Sequence, residues 1–406
     1  MPSSGRQALQ GIKVADFSWS AAGPITTRYL AAHGAAVVRV ESAGRPDVLR
    51  TSSPFKDGKP GVDRSGNFAI LNANKYSISL NLKSPRGREV ARKLIAWADI
   101  VAESFTPGVI ERQGLGYDDI RKIKPDIIML RTSNQGQTGS QAKQPGFGQH
   151  LVGLSGLSYY SGWPDRDPLG FGMAYTDVIA PRFAVAALIA ALDYRRRTGK
   201  GQVLDVAQLE TAIHFLAPQM LDYTVNGRIG NREGNRCPYA CPHGVFPCRD
   251  EDTWCVIAVF TDAEWNSFKQ MVNKPWAEDA RFSTLLYRKK NEDELDRLIS
   301  EWTINFTAKH LMELMQNAGV AAGVVQSPED IINDPQLKLR DSFWVIKHKI
   351  LGLVTHLGRP FILSKTPAQP RIPAPCLGEH TEYVCTKLLG MTDDEFVELV
   401  AAGAFD

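Results

Sequence analysis

Residues 12–41 set the strongest limit on what this chain can fold into. An apolar segment, IKVADFS (12–18), leads into PITTRYLAAHG (24–34), whose apolar residues recur at helical spacing and stop at Gly34. A second apolar run, AAVVRVE (35–41), follows at once. Strand, helix and strand in such close succession predict a βαβ unit, in which the helix carries the chain back so that the two strands run parallel. The alternation continues through SISLNL (77–82), a helix over 85–98, DIVAESF (99–105), a helix over 107–113 and DIIMLRTS (126–133). The expected fold is therefore α/β, with a large Rossmann-like doubly wound parallel-sheet domain.

A long helix is expected near 178–195, then QVLDVAQLE and more helix to about 225. There the composition changes: GRIGNREGNRCPYACPHG is rich in Gly, Asn, Arg and Pro. The stretch TWCVIAVF and helices over 262–272, 291–302 and 307–318 suggest a smaller α+β domain. The expected organisation is a large domain over 1–225, a small one over 226–335, and a segment 336–406 returning to the large domain. The proline-rich tail is expected to end in a helix over 380–390.

Composition narrows the function. A formal net charge of +3 without a dense basic run argues against nucleic acid as a partner. No stretch of eighteen uncharged apolar residues predicts a membrane span, and the first residues, MPSSGRQALQGIKV, lack the apolar core of a signal peptide. Six scattered cysteines do not form a disulfide framework. These features predict a cytoplasmic protein. Glu41 stands where a ribose-binding acid would sit, but the turn after the first strand, DFSWSAAGP, lacks the G-x-G-x-x-G fingerprint, so a dinucleotide is not expected.

Asp177 opens the long helix as a lone carboxylate before an apolar run, with Pro181 just after it. Two readings stay open: an N-cap, and an ionised nucleophile kept charged by the helix dipole. Cys237, Cys241, His243 and Cys248 are zinc-type ligands, but their spacing lacks the distant second pair of most structural zinc sites, and no metal is assigned. Arg232 and Arg236 are either solvated or a clamp for a planar carboxylate. His150 is a satisfied structural histidine or a proton-transfer group.

An ordered set of segments resembles the class III CoA transferase family: GIKVADFSWSAAGP, LAAHGAAVVRVES, NANKYSISLNLKSPRG, ADIVAESFTPGVIERQGLGYDDI, YTDVIAPRFAVAALIAALDYRRRTGKGQ and CLGEHTEYV. The resemblance spans nearly the whole chain. It implies two domains, two chains interlocked like links, and a catalytic aspartate at Asp177. That aspartate would take an acyl group from an acyl-CoA as a mixed anhydride, become an aspartyl-CoA thioester, and pass CoA to a carboxylate acceptor. Coenzyme A and acyl-CoA would be substrates, with no permanently bound cofactor. The reaction needs water kept from the anhydride, which would suit a site closed between domains.

The resemblance places CoA contacts at Asn74, Lys75, Tyr76 and Ser77, at Ser104, Phe105 and Thr106, and at Arg112. It places substrate contacts at Gln149, His150, Arg232, Gly234 and Arg236. Departures limit the transfer: Ala21 replaces a glutamine of the formyl-CoA members, Ser42 replaces an arginine for which Arg45 would substitute, and REGNR replaces a loop of nearly all glycine. The stretch from Gly227 to Trp254 looks most like the branch that moves CoA from succinyl-CoA to benzylsuccinate. The partners implied are an acyl-CoA, a carboxylate and a second copy or homologous subunit, with no nucleic acid and no membrane. Alternatives are a racemase of the same fold, although Phe147 stands at its base position, and a subunit with a mainly structural role in a heteromeric transferase.

Overall fold

The computed structural model describes residues 7–406. Its residues gather into two compact units. The larger comprises the chain up to Ser158, Gly170–Ile229 and Gln336–Asp406; the smaller comprises Tyr159–Leu169 and Gly230–Pro335.

The larger unit is built on six strands: β1 (Lys13–Asp16), β2 (Ala36–Glu41), β3 (Tyr76–Ser79), β4 (Ile100–Glu103), β5 (Ile128–Ser133) and β6 (Val203–Ala207). All neighbours pair in parallel, in the order β3-β2-β1-β4-β5-β6. This is the doubly wound order whose direction reverses between β1 and β4. The strands read as continuous apolar runs because both faces are covered. Their two-residue period divides the core: Val14, Val37, Ile100 and Ile128 pack on one face with Leu30, Ala184 and Leu188. Ala15, Val38, Val101 and Met129 pack on the other with Val90, Leu94 and Ile95. The first group of partners comes from the Ala22–Ala32 and Tyr175–Thr198 helices, the second from the Pro85–Trp97 helix.

The Tyr175–Thr198 helix is long and apolar enough to cross a membrane by length and composition, which the sequence reading did not expect. Here its stripe of Ile179, Ala180, Ala184, Leu188 and Ala191 is buried, part of it against the sheet. In the tail, an antiparallel hairpin, β10 (Phe343–His348) and β11 (Gly352–Leu357), precedes a helical segment over 381–388, where a helix was expected, but the chain does not end there. The final helix is Asp393–Ala401, opened by a Thr392–Glu395 capping box.

The smaller unit has an antiparallel sheet of β7 (His243–Pro247), β8 (Trp254–Ala258) and β9 (Ala321–Val324). The Asp262–Val272, Glu292–Thr303 and Ala308–Asn317 helices bury Phe268, Ile299 and Leu311 in its core.

Candidate active site

Asp177 is the third residue of the Tyr175–Thr198 helix. The N-cap is Ala174, which offers no side-chain bond, so the capping role open to Asp177 is not the one it takes. The helix starts earlier than Pro181 suggested, because proline here tolerates a place inside the helix. Lacking an N–H, Pro181 leaves the Asp177 carbonyl without its usual helical donor.

Two other helix starts meet this turn. The Gly148–Leu154 helix begins at Gly148, and the Gln208–Ile213 helix begins at Gln208, directly after β6. The Thr176 hydroxyl ties them together, lying 3.3 Å from the Gly148 carbonyl oxygen and 3.4 Å from Gln208 Oε1. The carboxylate abuts the bare backbone of Gly148: a Cβ there would lie 2.5 Å from Asp177 Oδ2 and 2.8 Å from Cγ. Any larger residue at 148 would displace the carboxylate.

Burial pushes the Asp177 carboxyl up to about 6, and a side-chain hydrogen bond with Gln208 pulls against that rise. No cation contributes. The expectation that a helix N-terminus alone would set its charge is therefore incomplete, because desolvation is the larger influence. At pH 7 about nine-tenths of such groups are still ionised. A carboxylate that is mostly charged, desolvated and without a counter-ion is a competent nucleophile.

The residues expected at coenzyme A separate into two groups. Ser104, Phe105 and Thr106 follow β4 at the point where strand order reverses, where ligands of such sheets usually bind. Ser104 Oγ accepts from the Trp19 N–H at 2.7 Å and donates to the Trp19 carbonyl at 3.1 Å, fixing the two crossing loops. Trp19 and Phe105 lie 6.1 Å apart, and the exposed Arg45 stacks 5.0 Å from the Trp19 ring. Arg112 is exposed on the short Val109–Arg112 helix.

The 74–77 segment departs from expectation. Lys75 is fully buried, and its ammonium donates to Asp16 Oδ2 at 3.0 Å, Pro24 O at 3.0 Å and Asn72 Oδ1 at 2.9 Å. All three protons are used, so none is left for a phosphate. Asn74 is buried, accepting from the Arg371 and Ile372 N–H groups and donating to the Gln369 carbonyl. Buried Ser77 donates to Glu41 and accepts from Gly378. Half-buried Tyr76 packs against His380 and Tyr383. This segment fastens the returning tail to the sheet.

Gln149 and His150 are exposed in the first turn of the Gly148–Leu154 helix. In the smaller unit, Arg236 is already paired with Asp293 and with Asp296 at 3.1 Å, so its guanidinium is not the free clamp expected. Arg232 donates to the Tyr159 carbonyl at 3.0 Å and lies 5.6 Å from that ring, with its Nε buried and unpartnered. Gly234 has φ +62° and presses on Trp163, whose ring carbons would lie 2.2 Å from a Cβ. Its glycine serves backbone shape and close packing.

Cys237, Cys241 and Cys248 are buried, and burial pushes the Cys241 thiol up to about 12, away from thiolate chemistry. Glu41 receives a two-pronged bond from Arg50, at 2.8 and 2.7 Å, and is a structural acid. Gln208, Thr176 and Gly148 were missed at the sequence level. No local pattern marks them, since only the fold brings 148, 176 and 208 together.

The family model described as CoA-transferase family III matches residues 9–381. The chain is 32% identical over 394 residues to a succinyl-CoA–D-citramalate CoA-transferase of Chloroflexus aurantiacus, covering 97% of each. It is 30% identical to the mouse succinyl-CoA:glutarate CoA-transferase, covering 98% of this chain and 90% of that one. A CaiB/BaiF family protein from Brucella suis superposes with a TM-score of 0.88 at 30% identity, over 95% of this chain and all of that one. The chain belongs to CoA-transferase family III and is an enzyme that moves coenzyme A between acyl-CoA thioesters and carboxylic acids.

Proposed function

We propose that this enzyme takes CoA from succinyl-CoA and delivers it to a second dicarboxylic acid, with Asp177 as the acyl carrier. The observation that carries the mechanism is the Asp177 carboxylate itself: desolvated, without a cation, and lodged against Gly148 at the start of a helix. The substrate class is supported by the names of the two relatives, which act between succinyl-CoA and D-citramalate or glutarate. Benzylsuccinate is the finer acceptor suggested by the Gly227–Trp254 stretch.

An Asp177 oxygen attacks the thioester carbonyl, the C–S bond breaks, and CoA leaves as thiolate. That thiolate attacks the Asp177 carbonyl and expels the donor acid as a free carboxylate, leaving an aspartyl-CoA thioester. The acceptor carboxylate attacks the same carbonyl and expels the thiolate. The thiolate then attacks the acceptor carbonyl, giving the new acyl-CoA and restoring Asp177. One thioester replaces another, so the exchange is close to isoenergetic. Protein donors must stabilise the oxyanion at each stage.

Ser104, Phe105, Thr106 and Arg112 are the proposed CoA contacts, joined by Trp19 and Arg45 at the strand-order reversal. Gln149 and His150, in the first turn of the Gly148–Leu154 helix, are the proposed acceptor contacts. The enzyme works as an interlocked pair of chains in this reading. It is supported by the Ala217–Asn226 helix, which buries none of its residues and exposes Met220, Leu221, Tyr223 and Val225.

The test is chemical trapping. With succinyl-CoA and hydroxylamine, peptide mass spectrometry should find a hydroxamate on Asp177. An adduct on another residue overturns the assignment.

A further inference from the structure

The Asp177 carboxylate has a neighbour that the reaction scheme does not yet use. We propose that Gln208 acts directly on the reacting carboxyl: its side-chain amide, oriented by the Thr176 hydroxyl, donates to an Asp177 oxygen and holds that group through successive acyl transfers. This rests on Asp177 being the acyl carrier.

The argument begins with donors and acceptors. An ionised carboxylate only accepts hydrogen bonds, so it takes the NH2 end of the Gln208 amide. The amide oxygen then faces the other way, where the Thr176 hydroxyl lies 3.4 Å from Oε1. Gln208 is only 9% exposed and its amide lies beside Thr176, the residue next to Asp177, so water has little access to the carboxylate from that side. Its place is fixed by the backbone, since it is the first residue of its helix and follows the last residue of β6. Gly148 closes the other side of the carboxylate with bare backbone. One wall thus lets the group approach closely, and the other supplies a donor.

No charged group shares this task. The elements packed on the Asp177 helix carry His150, Glu210, Arg28, Asp205 and Arg131, and the helix itself carries Arg182 and, at its far end, Asp193, Arg195, Arg196 and Arg197. None of them changes the proton affinity of Asp177; burial and Gln208 do. A neutral donor suits the chemistry better than a cation would. A lysine or arginine would stabilise the resting carboxylate strongly and blunt its nucleophilicity. An amide favours the anion modestly and can still donate when the aspartyl carbonyl becomes an oxyanion under attack by thiolate.

The experiment compares wild type with Gln208→Ala, Gln208→Glu and Thr176→Val, measuring kcat and KM for acyl-CoA from about pH 5 to about pH 8.5. For Gln208→Ala the acid limb of kcat should rise by about one pH unit, because a bond to the charged form is lost. Plateau kcat should fall by roughly tenfold to a hundredfold, with KM changed less than about twofold. Gln208→Glu should move the limb further, since two acids would share one site. Thr176→Val should shift it the same way by less, and it carries the test if Gln208→Ala does not fold. An acid limb that stays in place in the folded variants, with kcat within about twofold of wild type, overturns the proposal. Hydroxylamine trapping on wild type separates the two failures. With the adduct on Asp177, an unmoved limb sinks only the role of Gln208; with the adduct elsewhere, the acyl-carrier reading falls first.

Discussion

Two aspartates of the larger unit, one fully buried and one partly buried, face opposite surroundings. Asp16, at the end of β1, is fully buried, but Lys75 lies 3.0 Å away, Arg39 at 3.8 Å, and the Ser18 and Thr27 hydroxyls donate to it. Burial alone would raise its carboxyl, yet these partners outweigh burial and hold it below the ordinary carboxylate value. Asp177 has an amide for a partner and no cation, and burial wins. A buried acid answered by cations is part of the scaffold. A buried acid left nearly unanswered is a cost that folding alone would not retain, and in this chain it sits where the chemistry needs it.

The sharpest way to break this contrast is Asp177→Asn. CoA transfer should fall by roughly a thousandfold or more, because the amide cannot form the anhydride. The variant should fold normally and still bind acyl-CoA, measured by calorimetry. Full-speed turnover would mean that the reactive acid lies elsewhere.

Lys75→Met probes the other acid. It leaves Asp16 buried without its nearest cation, a loss of about 3 kcal/mol in stability. Denaturant unfolding should show that loss, while KM for acyl-CoA in the folded enzyme changes less than about twofold. A large rise in KM with unchanged stability would return Lys75 to the coenzyme A site.

Acidity gives a third test, with opposite signs at the two aspartates. Asp177 has a folded value of about 6, above its unfolded one. Its protonated form therefore supports stability below the ordinary carboxyl range, and that support is lost as pH rises through about 6. Asn at 177 mimics the protonated acid, so Asp177→Asn should be more stable than wild type at neutral pH. The gap is up to about 3 kcal/mol, and it should close as pH falls from about 6 to about 4. Asp16 has a lowered value, so its contribution is present above the ordinary carboxyl range and lost as pH falls through its folded value. Asp16→Asn should accordingly be destabilised at neutral pH, by a margin that shrinks in acid. Melting curves at several pH values would show both trends, and parallel behaviour of the two variants would contradict the contrast.

Much of the fold was legible in the sequence because parallel strands buried on both faces leave long apolar runs, as at 36–41 and 128–133. Strand ends were overdrawn, since apolar residues such as Phe17 continue into the loops that follow. The Asp393–Ala401 helix was not expected, although Thr392 and Glu395 spell a capping box that marks its start. The Gly148–Leu154 helix has no such signal: its N-cap is Phe147, without a side-chain bond. Asp177 was legible through a resemblance that local pattern could not replace. Lys75 shows the converse, since a lysine next to a strand looks solvated until three partners around it are seen. Gln208 could not be read at all, since its meaning depends on residues thirty and sixty positions away.

The smallest effect separates the two arginines of the 230–236 loop. As a sequence they were equivalent; in the structure Arg236 is engaged by three carboxylates, Glu292, Asp293 and Asp296, while the Arg232 guanidinium bonds only to a carbonyl. Removing Arg236 leaves Asp296, already raised to about 6 by burial, without its main cation. Arg236→Ala should therefore lower the melting temperature and weaken all acceptors alike. Arg232→Ala should instead raise KM for dicarboxylate acceptors about tenfold more than for monocarboxylates of equal length, the loss of one charge-assisted contact. The pair is read from KM ratios for glutarate against a five-carbon monocarboxylate in both variants. Equal ratios for Arg232→Ala would remove it from acceptor recognition, and selective loss in Arg236→Ala would mean that its ion pairs open to admit the substrate.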